Sequence, residues 1–112
     1  MIVSKALIEG RNIRDWDSLH DEFNRVFGFP SFYGRNMNAW IDCMTSLDCE
    51  GDGMTSIHVE RNGVLMLEIA DAAHLKRHCP EQYEAVIECA AFVNFRRIEA
   101  GEGPLLAVAF HL

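Results

Sequence analysis

The stretch Val64-Leu65-Met66-Leu67-Glu68-Ile69 decides the reading of the fold. All its side chains but Glu68 are apolar, and it is short, as strands are and helices are not. A run this continuously apolar is expected of a strand in a parallel sheet, where helices cover the sheet and side chains of both parities leave water. A strand with one wet face would alternate instead.

A parallel sheet needs long crossovers, and the flanking sequence supplies them. Downstream, Asp71 is placed to cap a short helix through about His78, and Pro80 suits the first turn of a longer helix reaching about Glu99. Tyr83, Val86, Ile87 and Ala90 form its buried side. Gly101 and Gly103 stop it, and Leu105 to Phe110 reads as the last strand.

Upstream, Asp48 to Asn62 is polar and rich in Gly and Asp, with a small alternation at Ile57 to Val59, and is expected to be an irregular excursion or a hairpin. Before it a helix is expected from about Asn36 to Leu47, with Met37, Trp40, Ile41, Met44 and Leu47 as its apolar stripe. Another helix begins after Asp15 or Asp17, either of which can cap it. Trp16, Leu19, Phe23, Val26 and Phe27 recur at helical spacing and should face the core, and Gly28 and Pro30 end this helix. Ile2, Val3, Ala6, Leu7 and Ile8, ended by Gly10, form the first strand. Strands separated by helices give the α/β class, a three-stranded parallel sheet packed with about four helices, in a single domain over 1–112.

Composition limits function. Residues 49% hydrophobic in a chain of 112 can build a core without metals or disulfides. The four cysteines, Cys43, Cys49, Cys79 and Cys89, show no CxxC pair and are expected to be reduced thiols in a cytoplasm. The start lacks the features of a secretory signal, and no segment is apolar enough to span a bilayer, so no membrane partner is expected. A net charge of −7 disfavours direct contact with nucleic acid, which is driven by neutralising phosphates, and favours a basic partner.

Chemistry of other kinds is weakly signalled. Asp48-Cys49-Glu50-Gly51-Asp52-Gly53 has the carboxylates and glycine of a calcium loop, but Val59 stands where the bidentate ligand belongs and Glu60 comes one residue late. The cysteines and histidines lack zinc spacing. No nucleophile, base and orienting group are brought together by motif, and no glycine-rich phosphate loop is present.

The most specific string is Phe29-Pro30-Ser31-Phe32-Tyr33-Gly34-Arg35-Asn36-Met37-Asn38-Ala39-Trp40-Ile41-Asp42-Cys43-Met44-Thr45. It resembles the barstar family, whose members carry a similar Pro, paired aromatics, Gly, x, Asn, an apolar residue, Asp, Ala, and an apolar-apolar-Asp-Cys-apolar-Thr run. Ile13-Arg14 with Leu19-His20, and Leu65-Met66-Leu67-Glu68, extend the resemblance over most of the chain. It implies a barstar-like fold and a cytoplasmic protein without cofactors that inhibits a barnase-type or other basic ribonuclease rather than catalysing a reaction, monomeric when free.

The resemblance also implies a site. The second helix would plug the nuclease, with Asp42 standing in for the scissile phosphate before its Arg, Lys and His cluster. Arg35, Asn38, Asp42 and Thr45, three or four residues apart, should share one exposed helix face. Gly34 would let the backbones approach closely, and Phe32 would either stack on a catalytic histidine or join the core. Asn36 would hold the turn or reach across, Thr45 would donate a hydrogen bond, and Ile41 takes the place of a family aromatic.

Other departures dilute the acidic face. Asn38 replaces a second aspartate and Arg35 an acidic residue, while a family carboxylate late in the last helix has no single match among Arg96, Arg97 and Glu99. Asp48, Glu50 and Asp52, with Glu102, are the candidates to restore the charge. Two alternatives are immunity to an unrelated basic toxin through the same helix, and a small hydrolase built around His20 or His58.

Overall fold

The computed structural model describes residues 3–112. Strand β1 (Val3–Glu9) is followed by a single 3-10 turn, helix α1 (Trp16–Phe27) and helix α2 (Met37–Thr45). Strand β2 (Val64–Ala70), helices α3 (Ala72–His78) and α4 (Pro80–Glu99), and strand β3 (Leu106–Phe110) complete the order. The strands form one sheet in the order β1-β2-β3, all parallel, with β2 central. This is the α/β architecture that the sequence predicts. Ile2, the first residue of the expected strand, lies outside the described residues.

Burial on β2 differs from the continuous burial its composition suggests. Leu65, Leu67 and Ile69 are buried, whereas Val64, Met66, Glu68 and Ala70 are only half-buried. The register sets Ala6 and Val108 on either side of Leu67, and Ile8 beside Ile69. Leu19, Phe23 and Phe27 of α1, Trp40 and Met44 of α2, Leu75 of α3, and Val86, Ala90 and Val93 of α4 join these in one core. Only one face of this small parallel sheet is fully covered.

Local chemistry sets the helix ends. Asp15, not Asp17, caps α1: its Oδ1 accepts from Ser18 N at 2.8 Å while Ser18 Oγ accepts from Asp15 N at 3.0 Å. Trp16 is 41% exposed rather than buried. As the first helical residue it lies at the margin of the apolar stripe, over an open recess lined by Pro80, Glu81 and Ala85. Asp71 does not cap α3. Its backbone is left-handed (φ 52°) and its carboxylate pairs instead with Arg11 Nε at 3.3 Å.

The excursion after α2 forms no hairpin. It contains a 3-10 turn at Glu50–Asp52 and is otherwise irregular, pinned in its second half by backbone bonds from Ser56 N to Phe27 O (2.7 Å) and Val59 N to Leu47 O (2.9 Å). Gly28, at the C-terminus of α1, has φ 62°, and a side chain there would run into Ser56. Glycine thus serves both the helix stop and the seating of this loop.

Two buried carboxylates are fully engaged. Glu22 accepts from Glu9 N (2.8 Å), Asn12 Nδ2 (3.0 Å) and both Nε and Nη2 of Arg25 (2.9 and 2.6 Å). Burial opposes its charge, but the bonds from Arg25, Glu9 and Asn12 outweigh that and hold the carboxyl below its ordinary range. Asp48 takes a bidentate grip from Arg97, 2.7 Å on each arm, with both side chains out of solvent. The same guanidinium lies 3.2 Å from Glu102. Asp48→Ala should lower unfolding free energy by about 3–5 kcal/mol in urea titration, because it leaves a buried cation with only the longer contact to Glu102; a loss under about 1 kcal/mol would show that the pair is not structural.

Candidate functional site

Helix α2 is the element that carries the predicted site. Asn36 caps it, its Oδ1 accepting from Ala39 N at 2.8 Å and its Nδ2 donating to Gly34 O at 3.3 Å. Of the two roles open to Asn36, the structure shows the local one. Trp40 and Met44 are fully buried, and the Trp40 ring meets Phe23 edge-on at 5.4 Å. With 3.6 residues per turn, a residue two places beyond Trp40 must point away from the core. Asp42 does so: its side chain is 57% exposed, and Asn38, one turn earlier, is exposed beside it.

The lead-in to α2 is held by aromatic and charged contacts rather than regular structure. Phe29 is buried and packs on Tyr33 at 4.4 Å between ring centroids, and Tyr33 Oη shares a 2.6 Å hydrogen bond with His20 Nδ1. Arg35 adopts a left-handed backbone (φ 52°), a conformation that costs a non-glycine residue about 1–3 kcal/mol. Its guanidinium is tied to α1, bonding Asp17 O at 3.0 Å and Asp21 Oδ1 at 2.9 Å and pairing with the Asp17 carboxylate. The turn between Phe29 and Asn36 is therefore fixed before any partner arrives.

On this fixed turn Phe32 is 73% exposed, so of its two expected settings it takes the outer one. Gly34 is exposed too and has no left-handed φ, so its own backbone does not demand glycine. Two other predicted contacts are less available. Ile41 is 8% exposed and belongs to the core, where the apolar stripe of α2 places it, so it offers a partner little surface. Thr45 is half-buried and its hydroxyl already donates to Ile41 O at 2.6 Å, which leaves it lone pairs to offer rather than a proton.

The charges near the site are distributed differently from the sequence expectation. Asp48 cannot supplement the acidic face, because it is buried against Arg97, which also removes it as a calcium ligand. Its carboxyl is held below its ordinary range, chiefly by the hydrogen bonds from Arg97. Glu102 is partly exposed but shares the same arginine. Glu50 and Asp52 remain exposed. Arg96, a residue with no assigned role in the sequence, places Nη1 2.9 Å from Asp42 Oδ1. No periodicity could have revealed a contact between residues 54 apart in the chain.

The thiol next to Asp42 is not a reactive group. Cys43 is buried, and burial, helped by the Asp42 charge, pushes it up to about 11. All four cysteines are free thiols. No group of three or more His, Cys, Asp and Glu side chains among the described residues is arranged to hold a metal ion. His20, one centre of the hydrolase alternative, is buried with Nδ1 committed to Tyr33, whereas His58 is exposed in the excursion.

A parallel three-stranded sheet with four helices is the barstar-like fold that the sequence predicts, and the comparison with family models agrees. The model for Barstar (barnase inhibitor) matches residues 3–106, and the chain belongs to that family. Among curated relatives, a Bacillus subtilis (strain 168) protein described as "Putative ribonuclease inhibitor YrdF" is 42% identical over 41 residues. That match covers 37% of this chain and 45% of the relative, so it spans under half the length of either. Family and relative both point to an inhibitor rather than an enzyme.

The pinned turn carries its own pH dependence. Burial lowers the affinity of His20 for a proton, Arg35 adds to that, and Asp17 and Asp21 oppose it. With the folded-state value below the unfolded one, stability is complete above the unfolded value near pH 6.5 and falls as pH drops beneath it. Urea midpoints should therefore decline between about pH 7.5 and 5.5, and His20→Gln should flatten the decline; an equal slope in the variant would assign it to other groups.

Proposed function

We propose that this protein inhibits a barnase-type ribonuclease by seating the exposed face of α2 and its lead-in turn in the enzyme's active site. Asp42 would accept the hydrogen bonds that the enzyme's cations normally give to the scissile phosphate. Charge-assisted bonds of this kind are short, strong and directional, and a carboxylate offers two of the oxygens that a phosphate would. The observation that carries the reading is the outward Asp42 on a helix whose other side is locked into the core by Trp40 and Met44.

The remaining contacts fit around that carboxylate. Phe32 supplies an apolar ring that would otherwise stand in water, suited to stacking on an imidazole. Gly34, exposed and free of any left-handed requirement, lets the two backbones come close. Asn38 would reach the partner directly, Asn36 would act by fixing the turn, and Thr45 would accept a bond at the end of the face. Because the turn is already fixed by Tyr33 and Arg35, docking would order few new torsions, and that lowers the entropic cost of association. The inhibitor would act as a monomer in a one-to-one complex, in the cytoplasm of the cell that makes the nuclease.

Calorimetric titration against a barnase-type ribonuclease tests the assignment. Asp42→Ala should weaken binding by about 2–5 kcal/mol, a range for desolvated charge pairs drawn partly from this family's own complexes. Its unfolding free energy should hold to within about 1 kcal/mol, because an exposed ion pair contributes little to stability. Equal affinity of wild type and Asp42→Ala would refute the site. Gly34→Ala, whose Cβ would lie 3.3 Å from Asn36 Nδ2 and asks only a small shift of that amide, should keep the wild-type unfolding free energy to within about 1 kcal/mol yet bind less tightly by about tenfold, since the methyl would hold the surfaces apart; undiminished binding would remove Gly34 from the interface.

A further inference from the structure

Arg96 stands where a partner's cation would have to arrive. It projects from the last turns of α4, and its Nη1 donates to Asp42 Oδ1 at 2.9 Å. Both side chains are about half in solvent, 42% for Arg96 and 57% for Asp42. We infer that Arg96 competes with the nuclease for Asp42 and thereby determines which nucleases this inhibitor accepts. The inference rests on the docking reading above.

The competition follows from the geometry. A cationic cleft reaching Asp42 must either displace Arg96 or accept it into the interface. Displacement costs the exposed ion pair, which is a small loss. Acceptance costs more, because the guanidinium would lie among the cations that hold Asp42, and like charges brought together in a desolvated interface repel strongly. A cleft that sets a carboxylate beside its phosphate-binding cations avoids this cost by pairing with Arg96. The partner chemistry that fits is thus a phosphate site with an adjacent acidic group, and a wholly cationic site is penalised.

The surrounding charges cannot take over this role. Arg97, the next residue, is buried and held by Asp48 and Glu102. Arg35, at the other end of α2, is held back on α1 by Asp17 and Asp21. Among the described residues Arg96 is therefore the cation paired with Asp42, and the approach from α4 to that carboxylate runs through it.

Wild type, Arg96→Ala, Arg96→Glu, Asp42→Ala and the Arg96→Ala/Asp42→Ala double variant can be titrated against a barnase-type ribonuclease in which any carboxylate at the phosphate site has been replaced by its amide, so that cations alone charge that site. Arg96→Ala should bind about two- to fivefold tighter than wild type, and Arg96→Glu tighter still. The gain from Arg96→Ala should vanish when Asp42 is also alanine. Arg96→Ala binding no tighter than wild type, or a gain undiminished without Asp42, overturns the competition while leaving the docking face standing if Asp42→Ala is weakened. Wild-type affinity in Asp42→Ala overturns the docking reading and this inference with it.

Discussion

The burial of Trp40 is the constraint on which the rest of the site depends. Its ring fills the core against Phe23, and Met44 one turn later is equally inaccessible. A helix locked along that line has no freedom to rotate about its axis. Asp42, about 200° around the helix from Trp40, is then held in water by the same packing that excludes water from the indole. The outward placement of the Asp42 carboxylate on this helix becomes a consequence of core formation. Loosening the Trp40 contact would blur the carboxylate's position as well as lower stability.

A second layer of control is electrostatic. Four acidic side chains within or near the α2 region, Asp17, Asp21, Asp42 and Asp48, are paired with arginines that join separate elements. Arg35 bridges the turn before α2 to α1, and Arg97 joins α4 to the segment after α2. The helix is therefore clamped at both ends by ion pairs while its middle is held by aromatic packing. The buried pair at Arg97 is best understood as fixing the excursion's take-off point, since desolvating both charges offsets much of their attraction. The cost is smallest where the grip is bidentate, as it is at Asp48.

Much of this was legible from residue pattern alone, and the exceptions share a cause. The apolar run Val64 to Ile69, the stop at Gly28 and the start at Pro80 each encode an element through local sterics and solvation, and each element is present. Asn36 as a helix cap follows from the same short-range rules. Asp71 fails as a cap because a left-handed backbone and a long-range pair with Arg11 override the local preference. The Ile57 to Val59 alternation forms no strand: Val59 N bonds instead to Leu47 O, just past the end of α2, and the preceding Ser56 N to Phe27 O at the end of α1. Asn94 on α4 was silent in the sequence, yet its amide binds the start of β3 through Leu105 N and Leu106 N, 2.9 Å each.

The sequence by itself determined the order of the elements, the α/β class, the family resemblance, and the identity of the helix whose polar side faces out. These depend on periodicity and on residues close together in the chain. Only the tertiary structure decided that Asp48 is buried rather than offered, that Phe32 stands outside the core, and that Arg96 sits on Asp42. Each of those depends on which surfaces meet across tens of residues. Charge count and helical spacing carry no information about such meetings, because the partners are chosen by the packing of α4 against α2 and the sheet.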